Sequence, residues 1–278
     1  MAIHPTAIID PAAVLGEVDI GPNCLIGAGV TLSDGVVLKS HVVIEGETEI
    51  GSGTVIHPFA VIGGDPQDLK YSGEPTKLVI GKNNTFREYS TCNRGTLGGG
   101  GVTIIGDNNL FMASSHVGHD CVVGSGCVLA NSAALAGHVV LGDSVIMGGL
   151  SGVHQHTRVG ALAMIGAGAK VVQDVPPFMM AQGDRARLFG VNVIGMRRSG
   201  YSKEIIEDLK KAYRLLFLSS IPFKEALEEL SDQVARGGQG AVEQPSISMN
   251  MLVEFLSERS KRGVCRGKPD PKSRLNDE

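Results

Sequence analysis

The sequence predicts a mainly β protein: a parallel β-helix, then a C-terminal α-helical domain. Three observations predict it. An aliphatic residue recurs at every sixth position over long stretches, a spacing that is neither a 3.6-residue helix period nor a simple alternating strand. Glycine is abundant (38 residues) while aromatics are only 4% and Trp is absent, the composition of a turn-rich β architecture. Beyond residue 200 the apolar spacing becomes helical.

The first ladder runs Ile8, Val14, Ile20, Ile26, Leu32, Leu38, Ile44, Ile50, Ile56 and Ile62. Two residues before most hits stands a small or β-branched side chain, such as Ala12, Val18, Cys24, Val30 or Thr54. In a strand, residues i and i−2 share a face, so each hexapeptide sends one large and one small side chain inward and uses the rest for a corner. The ladder resumes at Ile80, Phe86 and Cys92, and again from Ile105 through Phe111, Val117, Val123, Leu129 and Leu135 to Val171. An inward aliphatic contributes about 1.5–3 kcal/mol, against about 1–2 kcal/mol per residue of backbone ordering. Six residues per large side chain is a thin margin, and further burial between subunits is expected.

Two insertions interrupt the period. Residues 63–79 hold the polar run Asp65-Pro66-Gln67-Asp68-Leu69-Lys70-Tyr71, and residues 94–103 hold Gly98-Gly99-Gly100-Gly101, which reads as a flexible loop. Loops leaving a rigid solenoid are where binding residues concentrate. The repeat stops at Val175-Pro176-Pro177. Residues 1–186 are thus expected to form the solenoid, and 187–278 a connector and helical domain with a basic tail. Helices are expected over Ser202–Ser219, with Ser202 as N-cap, over Pro222–Val234 and over Ile247–Arg259, the last two joined by Gly237-Gly238-Gln239-Gly240. The tail from Lys261 is basic, contains proline and is expected to fray.

The net charge of −4 gives no global basic field for nucleic acid. Five cysteines, odd in number and without a CxxC pair, point to a reducing, cytoplasmic setting. The N-terminus lacks the basic and apolar regions of a signal peptide, and no apolar run approaches the roughly 18 residues of a membrane span, so a soluble protein is expected. Against this plain scaffold, Ser115-His116-Val117-Gly118-His119-Asp120 places two imidazoles and a carboxylate where the repeat needs none of them.

Several motifs in order then carry a resemblance. The ladder, Asp68-Leu69-Lys70-Tyr71 with Gly73-Glu74-Pro75-Thr76, His116-x-x-His119-Asp120-Cys121, Leu135-Ala136-Gly137-His138, Val153-His154-Gln155 and Asp174-Val175-Pro176-Pro177 together resemble the UDP-N-acetylglucosamine O-acyltransferase family of lipid A synthesis. The hexapeptide alone is shared by many transferases; the ordered motifs are specific, and the similarity covers nearly the whole chain. The resemblance implies a left-handed β-helix with three hexapeptides per triangular coil, so that residues 18 apart stack. Asp120, His138 and His156 then form one column, and His119, Gly137 and Gln155 the next.

By the same resemblance His119 is the general base on the sugar 3-hydroxyl, Asp120 its orienting partner, and the Gly137 N–H the oxyanion donor. A base beside an oxyanion donor is what acyl transfer requires. The resemblance also assigns His116, His138, His154, Asp68, Lys70 and Arg198 to positioning sugar and diphosphate, with Gln155 and Asn192 as further substrate contacts. Ala167 and Arg185 fall where the acyl length is set. It implies an acyl carrier protein as donor, drawn to the basic charges Lys261, Arg262, Arg266, Lys268, Lys272 and Arg274, and a UDP-sugar nucleotide as acceptor. It implies a homotrimer with active sites between subunits, and no cofactor or metal. His4, His41 and His57 read as solvent-facing corner residues, and His156 stays open between the two roles. One departure is Asn93 before Arg94-Gly95, where the family often has histidine; another is Arg197-Arg198-Ser199 in place of a basic triplet.

Four rivals remain. A 3-amino sugar nucleotide as acceptor would give an amide. Other hexapeptide acyltransferases carry an extra N-terminal domain or lack the helical one. A metal enzyme of the γ-carbonic anhydrase type needs three converging histidines. A purely structural solenoid has no use for His119, Asp120 and Gly137 together.

Overall fold

Each hexapeptide of the chain forms a strand of mostly two residues and a turn, and three such units close one coil. In the computed structural model, which describes residues 2–237 and 243–267, the coils stack into sheets of eleven, nine and eight strands, parallel except for the last strand of the first sheet. The first sheet begins at Ala2–Ile3, the second at Ile8–Ile9 and the third at Val14–Leu15. Partners along the second sheet run His116 to Ala134, Ala134 to Gly152 and Gly152 to Lys170, which is the spacing of three hexapeptides. Across the insertions it lengthens: Glu47 pairs with Lys77, and Lys77 with Val102.

The inward positions are those of the ladder from Ile20 onward, all within a few per cent of full burial. The first coil differs. Ile8 and Val14, expected inside, are 66% and 61% exposed, and the residues paired with inward Ile26 and Leu32 are Ile9 and Leu15. The coil is one residue short, and because side chains alternate along a strand, a one-residue slip exchanges the faces.

The corners are tight. Asp120, His138 and His156 all have φ near +60°, the left-handed region, where Asp and His are tolerated better than most side chains. They occupy the corner between the second and third sheets. At the corner between the first and second sheets, His41, Phe59 and Tyr89 take the same conformation.

Past Pro176-Pro177 the first sheet gains one more parallel strand, Met179–Gln182, which turns back antiparallel into Arg187–Val191. The expected boundary at 186/187 falls inside this hairpin. Four helices follow: α1 (Val193–Arg198), α2 (Lys203–Phe217), α3 (Phe223–Gly237) and α4 (Glu243–Ser257). Ser202 caps α2 as expected, accepting the Ile205 N–H. α3 runs on to Gly237, and α4 begins four residues before Ile247. The linker at 238–240 lies outside the described residues. The buried face of α2 carries Ile205, Leu209, Tyr213 and Leu216, and the Tyr213 hydroxyl donates to the Leu188 carbonyl at 3.1 Å, joining helices to solenoid.

The tail corrects an expectation. Instead of fraying at Lys261, the chain returns to the solenoid: Val264 bridges to Asp174 and Gly267 to Leu188, both parallel. Cys265 is 1% exposed and donates its thiol to the Ala186 carbonyl. An apolar thiol at an inward position anchors what composition alone marks as a polar end. Lys268, Lys272 and Arg274 lie outside the described residues.

Candidate active site

The corner between the second and third sheets gathers the chemistry. Stacked turns place His138 above Asp120, with the His138 N–H donating to the His119 carbonyl at 2.9 Å and the His156 N–H to the Gly137 carbonyl at 3.2 Å. The His138 and His156 rings stack with centroids 4.3 Å apart, and His119 meets His138 edge-on at 5.1 Å. The expected columns are therefore present.

Asp120 is the fixed point. Its side chain is fully buried, and its Oδ2 accepts from His119 Nδ1 at 2.7 Å. The Thr96 backbone N–H donates to Oδ1 at 2.7 Å and the Thr96 hydroxyl to Oδ2 at 2.6 Å, while the Asp120 N–H donates to Thr103 Oγ1 at 2.8 Å. A carboxylate accepts but does not donate, so His119 carries its proton on Nδ1 and leaves Nε2 as a lone pair. His138 Nδ1 is a further 3.7 Å from Asp120 Oδ2. His119, Asp120 and His138 form the one group among the described residues whose ligand atoms lie close enough to hold a metal. The Asp120 carboxylate is already satisfied by three donors, which suits an orienting carboxylate.

The glycines are explained by what surrounds them. A Cβ on Gly137 would sit 2.5 Å from His119 Nε2, so the bare backbone lets the imidazole lie against it. Among the described residues the Gly137 N–H has no hydrogen-bond acceptor. A Cβ on Gly99 would sit 2.0 Å from the Asp120 carboxyl carbon, and Gly100 and Gly101 have φ of 101° and 82°. The glycine loop is thus a close-fitting cover over Asp120, not a loose insertion. It contains a short 3-10 turn, Leu97–Gly99.

The two insertions are tied to each other. Arg94, 8% exposed, sends its guanidinium to the Gly63 carbonyl and the Asp65 carboxylate, and donates to the Tyr71 hydroxyl at 3.0 Å. Asn93 Nδ2 donates to the Asp65 carbonyl at 2.8 Å, while its Oδ1 is buried without a partner.

A cavity of about 600 Å³ opens on the second sheet beside this corner. His116, His119, Gly137, His154 and Gln155 line it, with Asn93 and Gln67 on one side and Lys170 on the other. His116 Nδ1 is held at 2.8 Å by the Thr91 hydroxyl. Burial, then the nearby His119, lowers the His116 pKa; burial chiefly lowers that of His138, against the pull of Asp120; burial and His138 lower that of His156. All three imidazoles are therefore biased to the neutral form, in which one ring nitrogen donates and the other accepts.

Other predicted residues lie elsewhere in the single chain. Asp68 is half-buried on the first insertion, where its charge reaches His138, but neither it nor exposed Lys70 lines the cavity; their neighbour Gln67 does. Asn192 caps α1, accepting from the Gly195 N–H and donating to the Leu162 carbonyl at the corner between the third and first sheets. Arg198 ends α1, exposed. Ala167 is exposed on the turn between the first and second sheets, and Arg185 lines a second cavity together with His154. His4 pairs with Thr6 and His57 with Glu88. Sequence reasoning missed Thr96, Thr91, Thr103 and Gln67. Threonine and glutamine are ordinary in turns and strands, and no spacing marks them.

Stacked hexapeptide coils with a carboxylate-held imidazole beside a free glycine N–H define a transferase of the hexapeptide-repeat class. The family profile "Bacterial transferase hexapeptide (six repeats)" matches residues 102–137, and "Udp N-acetylglucosamine O-acyltransferase; Domain 2" matches residues 174–265. The acyl-[acyl-carrier-protein]–UDP-N-acetylglucosamine O-acyltransferases of Myxococcus xanthus and Burkholderia lata are 52% and 47% identical, each over 95% of this chain and 99% of the relative. A solved UDP-N-acetylglucosamine O-acyltransferase from Moraxella catarrhalis superposes with a TM-score of 0.89 at 45% identity, covering 96% of this chain and 100% of that one. The Francisella novicida enzyme gives 0.90 at 35%, covering 98% and 96%. The chain belongs to the acyl-[acyl-carrier-protein]–UDP-N-acetylglucosamine O-acyltransferase family.

Proposed function

We propose that this chain moves a 3-hydroxyacyl group from acyl carrier protein to the 3-hydroxyl of UDP-N-acetylglucosamine, the first step of lipid A biosynthesis. The observation that carries the reading is the buried Asp120–His119 pair at 2.7 Å, with Gly137 against the imidazole and a cavity in front. His119 Nε2 takes the hydroxyl proton as the oxygen attacks the thioester carbonyl. Asp120 stabilises the imidazolium so formed. The Gly137 N–H donates to the carbonyl oxygen as it becomes an oxyanion. Collapse expels the carrier thiolate, which takes the proton back from His119. No cofactor or metal enters these steps. His116, His138, His154 and Gln155 hold the sugar nucleotide through hydrogen bonds.

The active sites lie between subunits of a homotrimer. Asn192 and Arg198 sit near a different corner from His119, and a three-fold neighbour supplies them, with Ala167 setting the acyl length. Asp68 and Lys70 join through the first insertion. The carrier docks on the basic strap and tail. Five cysteines, free and buried, fit a cytoplasmic enzyme. Among the described residues no helix is long and apolar enough to cross a membrane.

A second reading, transfer to a 3-amine, starts from Asn93, which lines the cavity where the family often has histidine. Mass spectrometry of products from a series of acyl carrier proteins and both sugar nucleotides tests the proposal. An ester with UDP-N-acetylglucosamine is expected, and transfer to nitrogen alone would sink it.

A further inference from the structure

A second cavity, of about 530 Å³, adjoins the first and is walled by arginine: Arg185, Arg187, Arg262 and Arg266 line it with Gln173, and it shares His154 with the reaction cavity. The fold builds this wall from two pieces. Arg185 and Arg187 come from the turn and strand after Met179–Gln182, and Arg262 and Arg266 from the strap that returns to the solenoid. Along the strap Cys265 points into the core, while Arg262 and Arg266 give one face to the cavity. Backbone bonds from the Cys265 N–H to the Asp174 carbonyl (2.8 Å) and from the Leu188 N–H to the Arg266 carbonyl (2.9 Å) hold that face in place.

The charge is only partly compensated, by Asp184 beside Arg185. No acid lines the cavity, and among the described residues none of the four guanidinium groups pairs with a carboxylate. Asp184, beside Arg185 in sequence, gives Oδ2 to Lys170 Nζ at 2.6 Å and accepts the Arg185 backbone N–H on Oδ1. Arg262 donates from Nη2 to His154 Nδ1 at 2.5 Å, but its Nε is buried without a partner. Four like charges repel unless an anion joins them. Guanidinium forks match the oxygens of a phosphate or a carboxylate bidentately, and of these a phosphate offers more acceptors to four converging arginines. The Arg262 contact places His154 Nδ1 between the guanidinium and the Gln155 carbonyl, 3.2 Å away.

We propose that the Arg185–Arg187–Arg262–Arg266 cavity binds a phosphate ester of one of the two substrates, whose other end reaches His119 past the shared His154. This rests on the reading that a carrier-borne acyl group and a sugar nucleotide are the substrates. The first bears a phosphodiester on its pantetheine arm, the second a diphosphate. The experiment separates the two sources. The double variant Arg185→Gln/Arg266→Gln changes exposed side chains, so its melting temperature should match that of the wild type. Steady-state kinetics are measured against each substrate, and calorimetry compares 4′-phosphopantetheine with pantetheine and UDP with uridine. The expected result is a rise of about tenfold or more in one substrate's KM with kcat within about twofold, since charge-assisted bonds to phosphate are lost. The matching phosphorylated probe weakens while its dephosphorylated counterpart does not. A rise for the donor together with weaker 4′-phosphopantetheine binding assigns the phosphodiester. A rise for the donor with 4′-phosphopantetheine binding unchanged is lost carrier docking and overturns the site. A rise for the nucleotide with weaker UDP binding assigns the diphosphate. Unchanged KM for both, or a fall in kcat alone, overturns the site. A wild-type protein that binds a phosphorylated probe about tenfold tighter than its dephosphorylated partner, yet transfers no acyl group, leaves the site standing and removes the catalytic reading.

Discussion

Two corners of one solenoid share a backbone and part in chemistry. Between the first and second sheets, His41, Phe59 and Tyr89 stand in left-handed turns with rings stacked at 5.0 and 5.2 Å. Between the second and third, Asp120, His138 and His156 stand in the same turns, with the His138 and His156 rings stacked at 4.3 Å. Stacking of corner side chains is therefore a property of the coil, and a histidine in it carries no chemistry by that fact. What sets the second corner apart is its cover. The insertion at 94–103 lays Thr96 and Gly99 on Asp120, takes the carboxylate out of water, and leaves His119 facing a cavity. Among the described residues, His41 has Asn23 beside it at 3.1 Å and Phe59 stacked on it.

The sharpest way to break this contrast is to remove one imidazole from each corner. His119→Ala should lower kcat by about 10²- to 10⁴-fold, the usual worth of a general base, while His41→Ala leaves kcat unchanged; equal losses would mean that both corners serve only stability. Gly137→Ala comes next. Its methyl would meet the His119 ring at 2.4 Å and push it off line, and displacement of that order costs about 10² in rate; a variant with full kcat would show that the ring does not need this seat. Thr96→Val keeps the shape of the cover but withdraws the hydroxyl from Asp120. About a tenfold loss of kcat and about 1–3 kcal/mol of stability are expected from kinetics and denaturant melts, whereas a change in stability alone would make the cover structural.

The smallest effect concerns pH. Burial lowers the His116 pKa below its ordinary 6.5, so the unfolded chain binds a proton that the folded chain resists. The unfolded state holds more protons in that window, and stability falls as pH drops from about 6.5 toward the folded value. The melting temperature of wild type should fall over that range more steeply than that of His116→Asn; parallel curves would show that His116 is not held neutral.

Much of this was legible in the residues. The hexapeptide ladder announced the solenoid, and three hexapeptides per coil, which the family resemblance implied, brought Asp120, His138 and His156 into one column. His119 and Gly137 followed from the adjacent column. The first coil escaped because one missing residue between Leu15 and Ile20 exchanges faces without altering the apolar pattern. The strap escaped because its one inward residue, Cys265, is a small thiol among arginines. Asn192, Arg198 and Ala167, named by family resemblance, are not gathered by a single chain.

By itself, then, the sequence determined whatever depends on a period: the coil, its corners and, once three hexapeptides close a coil as the family resemblance implied, which residues stack at one level above another. Only the tertiary structure decided what lies across those columns. Thr96 over Asp120, Arg94 between the two insertions, and Arg262 against His154 are contacts between segments whose spacing obeys no repeat. A repeat specifies neighbours through a fixed number of residues, while an insertion or a returning strap finds its place through hydrogen bonds and burial, which leave no period to read.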